Sequence, residues 1–442
     1  MCKYIHTSII LAFILLFGTI SLVSATENDV PPRPSGLLLT WQQDPTTTMT
    51  IDWHTGADGE PSTLEYRLNE SDDEWQAVRG ETIPFPHSSR LIHRIELTGL
   101  EPDTEYSFRF SEFSPPRKFR TMPETADRPI RFASGGDVRH QVEWMDQTNR
   151  RAMAYEPDFV LWGGDLAYAD GREDRAYRWY EFMESVMNSL ITADGRVVPV
   201  LASIGNHEVL GGYYWREERR DENMPQYQQT DEIRELFAPY YYNLLAFPGQ
   251  PGYGVLDFGN YMTVIVLDTE HTNPIEGKQA EWLESVLKER QGRPNIIPVY
   301  HAPGFPSVRR PNVEKIANIR KTWVPLFEKY GVEIVFENHD HAYKRTYPIR
   351  DNKIDPTGIV YIGDGAWGVR TREIGYWQSE EHDTWYLKHA DSQRHFIIGT
   401  IHGSLQHYLI INEDGHVIDE YPQTPHLRID RSHFLNSPDN QE

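Results

Sequence analysis

Phe159-Val160-Leu161-Trp162-Gly163-Gly164-Asp165-Leu166-Ala167-Tyr168 sets four consecutive apolar residues before a glycine turn, a carboxylate and a phenol. Such a run has the length of a buried strand, and the turn ends it. Ligand-type side chains just past a strand end are how α/β folds build sites on loops. The same order recurs along the chain. Further strands are expected at 130–133, 197–204, 262–267, 296–300, 332–336 and 359–362. Gly136-Asp137 follows the first of these, Gly205-Asn206-His207-Glu208 the second, His301-Ala302-Pro303 the run at 296–300, and His339-Asp340-His341 the run at 332–336. A helix over 279–290 places Trp282, Leu283, Val286 and Leu287 on one face. Another over 313–330 does so for Ile316, Ile319, Trp323, Phe327 and Tyr330, with Gly331 as its cap. Between 396 and 421 strands return around the turn Glu413-Asp414-Gly415. The alternation predicts an α/β domain over 129–424.

Residues 32–122 carry a different pattern. Short alternating stretches around Leu37, Ile51, Leu64 and Ile95 are separated by turns such as Asp44-Pro45 and Ala57-Asp58-Gly59, the spacing of a β-sandwich. Leu100-Glu101-Pro102-Asp103-Thr104-Glu105-Tyr106 fits a tyrosine corner. This segment resembles a fibronectin type III domain, and it has no residues at catalytic spacing, so it reads as a packing or spacer module. The Pro-bounded stretch 122–129 is a linker.

Residues 1–25 read as an export signal: Lys3, an apolar run from Ile9 to Val23, then Ser24-Ala25 at the cleavage positions. Fifteen residues are too short for a spanning helix, which needs roughly 20. The expected location is therefore secreted, periplasmic or extracellular, with no stable membrane association. Cys2, the single cysteine, leaves with the signal, so the exported chain has no disulfide and is held by core packing or metals. Residues 425–442 form a polar tail. The net charge of −23 excludes binding to nucleic-acid duplexes through cation–phosphate attraction.

Taken singly, the strand-end blocks have bland readings: turn chemistry for Gly-Asp, a buried tyrosine, a satisfied histidine, a solvated His-x-His loop. Their conjunction changes this. Asp137, Asp165, Tyr168, Asn206, His301, His339 and His341 converge on one edge of one sheet in this reading. Carboxylates gathered there need cations to neutralise them. Oxygen and imidazole donors without thiolate suit Fe, Mn or Zn.

These blocks resemble the purple acid phosphatases within the calcineurin-like metallophosphoesterases, whose larger members place a sandwich module before the catalytic domain. The Gly164-Asp165-x-x-Tyr168 block and the His339-x-His341-Ala342-Tyr343 segment carry the resemblance. It implies an α/β/β/α catalytic domain, a sandwich core flanked by helices. It implies Fe(III) bound by Asp137, Asp165, Tyr168 and His341, and a divalent Zn, Mn or Fe ion bound by Asp165, Asn206, His301 and His339, with Asp165 bridging. His207 would be the catalytic outer-sphere residue, binding substrate with Asn206. Arg139 is a further candidate substrate-binding residue, weighed against a plain surface charge, as is Lys344; Arg345 is a third candidate helper. The implied reaction is hydrolysis of small phosphate monoesters by a metal-bound hydroxide, with an acidic optimum.

Arg139, Pro298, Asn338 and Lys344 depart from the family pattern, and the expectation is that they reshape the substrate rim. Tyr213-Tyr214-Trp215-Arg216 is a candidate part of that rim. A phosphodiesterase or nucleotide phosphohydrolase on the same centre stays open, as does an exported non-catalytic binding protein working through the sandwich.

Overall fold

The computed structural model describes residues 34–57, 62–112, 114–212, 230–374 and 384–422. The expected export signal, the expected polar tail and Tyr213-Tyr214-Trp215-Arg216 lie outside the described residues.

The first unit is a sandwich of two four-stranded antiparallel sheets. Ser35–Thr40, Met49–Thr55, Leu91–Leu97 and Glu81–Pro84 form one; Gln76–Arg79, Thr63–Leu68, Glu105–Arg109 and Arg117–Arg120 form the other. The tyrosine corner is present: the Tyr106 phenol oxygen accepts the Glu101 N–H at 2.9 Å. Trp41, fully buried, stands edge-on to Phe159 and Phe258, with ring centroids 6.2 and 5.5 Å away. Arg94 forks onto Asp52 and also donates to Asn243 O at 3.0 Å. The sandwich is thus docked on the second unit by both apolar and polar contacts.

That second unit has two mixed sheets packed face to face. The six-stranded sheet runs Val200–Ala202, Phe159–Trp162, Ile130–Gly135, His395–His402, Leu405–Asn412, Val417–Tyr421; its first three strands are parallel. The seven-stranded sheet runs Gly254–Phe258, Met262–Val266, Ile296–Val299, Ile334–Glu337, Val360–Gly363, Tyr343–Thr346, Leu387–Asp391, with four parallel strands at its centre. Strand periodicity explains why continuous apolar runs are needed. In Phe159–Trp162, Phe159 and Leu161 face the second sheet while Val160 and Trp162 face helices, so both faces are buried. Ile334 and Phe336 face inward and Val335 outward in the same way. Val142–Met153 and Ala176–Ser189 cover one outer face; Lys278–Glu289, Glu314–Thr322 and Val324–Lys329 cover the other. Among the described residues no helix is long and apolar enough to cross a membrane.

Two expectations need correction. The helix expected over 313–330 is broken at Trp323 into Glu314–Thr322 and Val324–Lys329, because Pro325 lacks an N–H and its ring crowds the carbonyl four residues back. The strand expected over 197–204 is only Val200–Ala202; Val197 and Val198 donate instead to Lys118 O and Leu190 O, at 2.8 and 3.0 Å.

One buried carboxylate makes stability depend on pH. Arg345 binds Asp419 through Nε and Nη2 at 2.6 and 2.9 Å, and the Tyr343 hydroxyl donates to it at 2.7 Å. Although burial opposes its charge, His389, Arg345 and Tyr343 hold the Asp419 carboxyl well below the usual range. A folded-state pKa below the unfolded value of about 3.9 adds stability above that pH, lost as pH falls through the folded value. Asp419→Asn should therefore lower the free energy of urea unfolding at pH 6, with the difference from wild type shrinking below about pH 4.

Candidate metal centre

The strand ends deliver the expected side chains to one place, but from two sheets. Asp137, Asp165, Tyr168, Asn206 and His207 follow the three parallel strands of the six-stranded sheet. His301, His339 and His341 follow Ile296–Val299 and Ile334–Glu337 of the other. The expectation of a single sheet edge is thus corrected. Face-to-face packing brings together the carboxyl ends of parallel strands in both sheets.

Two groups of contacts result. In one, the Tyr168 hydroxyl is 3.1 Å from Asp137 Oδ1 and 3.2 Å from His341 Nε2, which is itself 2.9 Å from Asp137 Oδ1. In the other, His301 Nε2 lies 2.8 Å from His339 Nδ1, 3.2 Å from Asn206 Oδ1 and 3.1 Å from Asp165 Oδ2. Ligand atoms of Asp137, Asp165, His301 and His339 all lie within 4.8 Å of one another. Backbone N–H groups orient the acids: His339 donates to Asp137 Oδ2 and His207 to Asp165 Oδ1, each at 2.8 Å.

Proton accounting shows that this donor set fits cations. Gly163 O and Arg370 O lie 2.8 and 3.1 Å from the Nδ1 atoms of His301 and His341. A carbonyl only accepts, so each ring carries a proton on Nδ1 and turns Nε2 inward, as a lone pair wherever the ring is neutral. Those Nε2 atoms meet carboxylate oxygens. Asp165 Oδ2 and Asn206 Nδ2 are buried without a hydrogen-bond partner. At His301 a proton takes the cation's part: burial works against charge, but Asp165 pulls its pKa up to about 9. At His341 burial prevails over Asp137 and lowers the pKa. Burial, then the Asp137 and Asp165 carboxylates, push the Tyr168 phenol well above 10, so a phenolate there requires a strongly charged ion beside it.

The backbone carries the same message. Asp137, Asp165, Tyr168, His339 and His341 have φ of 56°, 54°, 57°, 82° and 58°, the left-handed region that costs non-glycine residues about 1–2 kcal/mol each. Such strain persists only where the surroundings over-determine it, and it concentrates at functional sites. Here loop–loop hydrogen bonds do so: Asp137 N to Gly164 O at 2.9 Å, Val138 N to Asp165 O at 2.8 Å, His341 N to Asp364 O at 2.9 Å. The loops also touch. A Cβ at Gly205 would come within 2.4 Å of the Asp165 main-chain nitrogen.

Several contributors escaped the motif reading. Glu208 takes three backbone N–H groups, from Asp165 and Gly205 on Oε2 and Leu166 on Oε1, each at 2.8 Å. It ties the loop of Asp165 to the loop of Asn206. Asp170, two residues past Tyr168, accepts from His207 Nδ1 at 2.5 Å. The His207 ring lies 4.2 Å from that of Tyr168, with Nε2 3.9 Å from Asp165 Oδ2. Burial opposes charge on His207, but Asp165 and Asp170 raise its pKa. His140 stands edge-on to Tyr168 at 4.5 Å; burial and His341 push its pKa down to about 4. Arg309 and Arg372 both reach His339 O. Only Glu208 and Asp170 had a sequence signal, as acids directly beside the motifs.

Other expectations change. Asn338 is no rim residue. It is buried with Nδ2 donating to Tyr300 O at 2.9 Å, filling the space above Gly136 and Gly163. Lys344 is no surface charge: fully buried, it pairs with Glu337 and, at 3.5 Å, Asp364. Arg345 is taken by Asp419. Arg139 is also buried, paired with Glu181, while its Nε and Nη1 have no partner.

Residues 34–121 match the family model of the purple acid phosphatase N-terminal domain, and residues 135–343 that of the calcineurin-like phosphoesterases. The chain belongs to the purple acid phosphatases. It is 27% identical over 379 residues to purple acid phosphatase 18 of Arabidopsis thaliana, covering 81% of this chain and 80% of that one. To purple acid phosphatase 22 of the same plant it is 27% identical over 291 residues, covering 64% of this chain but only 60% of that one. The purple acid phosphatase PPD1 from yellow lupin seeds superposes with a TM-score of 0.69 at 18% identity, over 89% of this chain and 74% of that one; this shows the shared fold. The phosphoesterase family model and the purple acid phosphatase relatives make the chain a phosphatase.

Proposed function

We propose that this purple acid phosphatase is an exported enzyme hydrolysing small phosphate monoesters at acidic pH. Asp137, Asp165, Tyr168 and His341 would hold Fe(III), and Asp165, Asn206, His301 and His339 a divalent Zn, Mn or Fe ion. The observation that carries this reading is the pair of imidazole Nε2 atoms, their Nδ1 atoms tied to backbone carbonyls, aimed at buried carboxylates on strained loops. When bound, the two ions would activate water and neutralise the phosphoryl oxygens.

The chain's own residues do the rest. Asn206 Nδ2, buried and without a partner, donates to a phosphoryl oxygen. His207, held through Nδ1 by Asp170, presents Nε2–H to the departing alcohol oxygen. Its raised pKa keeps that proton in place under acidic conditions. Arg139, buried against Glu181 with Nε and Nη1 unpartnered, would add a cation beside the first loop. Tyr168 would supply a phenolate oxygen to the ferric ion.

Metal analysis and a visible spectrum of the purified mature protein test this directly. Two metals per chain including iron are expected, with a visible band that Tyr168→Phe removes. Hydrolysis of an aryl monoester should exceed that of a bis-aryl diester at pH 5. A colourless two-metal protein would remove the ferric–phenolate assignment, and faster diester turnover would remove the monoester one.

A further inference from the structure

The polar ends of the same strands hold a second cluster of charges. Arg131 opens Ile130–Gly135, Asp158 immediately precedes Phe159–Trp162, and Arg196 precedes Val200–Ala202. With Arg120 of the sandwich and Arg128 of the linker they line a cleft of about 340 Å³ between the two units. It lies at the opposite end of the sheet from the strand ends that carry Asp137 and Asp165.

Glu156, Asp158 and Asp194 also line the cleft, against four arginines; Asp158, the buried one, has its capacity used. Arg120 Nη2 donates to Oδ1 at 2.7 Å, Arg128 Nη1 to Oδ2 at 3.1 Å, and the Arg131 N–H to Oδ2 at 2.9 Å. Arg128 is further held by Asp103 at 2.8 Å. Arg196 is left over. Its side chain is only 6% exposed, yet its nearest carboxylates are Asp194 at 3.7 Å and Asp158 at 3.9 Å, beyond hydrogen-bond reach. Its Nε is buried without a hydrogen-bond partner. The Nε atoms of Arg120 and Arg131 are buried without partners as well. A buried guanidinium lacking acceptors is costly, and an anion with several oxygens, offered to three arginines at once, removes that cost. A phosphate dianion has the acceptors for this; a carboxylate has two oxygens.

We propose that this cleft is a second anion site, binding a phosphate group, free or on a small organic molecule, between the sandwich and the catalytic domain. The volume sits at the small end of ligand pockets, about 300–1,000 Å³, and leaves room for a modest organic body.

Equilibrium dialysis of the metal-loaded protein with inorganic phosphate, and separately with phenylphosphonate, tests the proposal. Wild type is expected to bind one equivalent more than Arg196→Gln, whose monoester turnover stays within about twofold of wild type. Arg131→Gln, at a partly exposed position, is the second variant and should weaken the same equivalent. The extra equivalent with phosphate identifies the free anion as sufficient; with phenylphosphonate alone, it shows that an organic body is needed. Equal stoichiometry in all three proteins with both probes overturns the site. The difference of one equivalent survives even if the metal centre binds neither probe, so the two readings fail separately.

Discussion

Asp165→Asn is expected to lower monoester turnover by at least the ~10²–10³-fold that loss of one oriented electrostatic group costs, and to leave less than two metals per chain. The substitution is nearly isosteric, and Asn can still accept the His207 N–H that Asp165 Oδ1 now takes. It removes the charge facing His301 and the other donors. The fold should survive. Burial first, and then the charge of Asp165, raises the pKa of neighbouring Glu208 to about 7, so neutralising Asp165 relieves a like-charge contact. Metal content, kcat and a urea melt of the metal-free protein check this together. Full metal occupancy with undiminished kcat would remove Asp165 from the centre.

Glu208→Ala should have the largest effect on stability. It strands the N–H groups of Asp165, Leu166 and Gly205, all on buried residues, and each unsatisfied donor costs about 1–3 kcal/mol. Against a typical total of about 5–15 kcal/mol, the loss is severe. Glu208→Gln keeps an oxygen for the Asp165 and Gly205 N–H groups but turns an NH₂ toward that of Leu166. It should lose about 1–3 kcal/mol and bind metal about 10–100-fold more weakly, as when a group orienting metal ligands is lost. The expected order in denaturant midpoint is wild type, Gln, Ala. An Ala variant as stable as wild type would show that the three donors find other acceptors.

Most strand runs, and the placing of the seven candidate ligands just past strand ends, could be read because each depends on order along the chain. An apolar run such as Phe159–Trp162 must be buried on both faces wherever it lies, and Gly-Asp after it must be a turn. Sandwich, linker and α/β domain could be told apart because hydrophobic periodicity changes at 122–129. The break of the 313–330 helix at Trp323 was not read from the sequence, although Pro325 is a local signal for it.

Tertiary structure decided what depends on partners far away in sequence. Two sheets, not one, meet at the site, since only packing sets where His301 and His339 stand against Asp165. The left-handed backbones of Asp137, Asp165, Tyr168, His339 and His341 exist because other loops hold them. Lys344 and Arg139 look like surface cations by residue type, yet Glu337, Asp364 and Glu181 compensate their burial. Arg196 is the reverse case: a residue type that sequence places in solvent, buried by packing with its Nε left without a hydrogen-bond partner. Residue type determines which groups can carry charge or bind metal; the packed neighbours determine which of them are satisfied and which are left to bind something else.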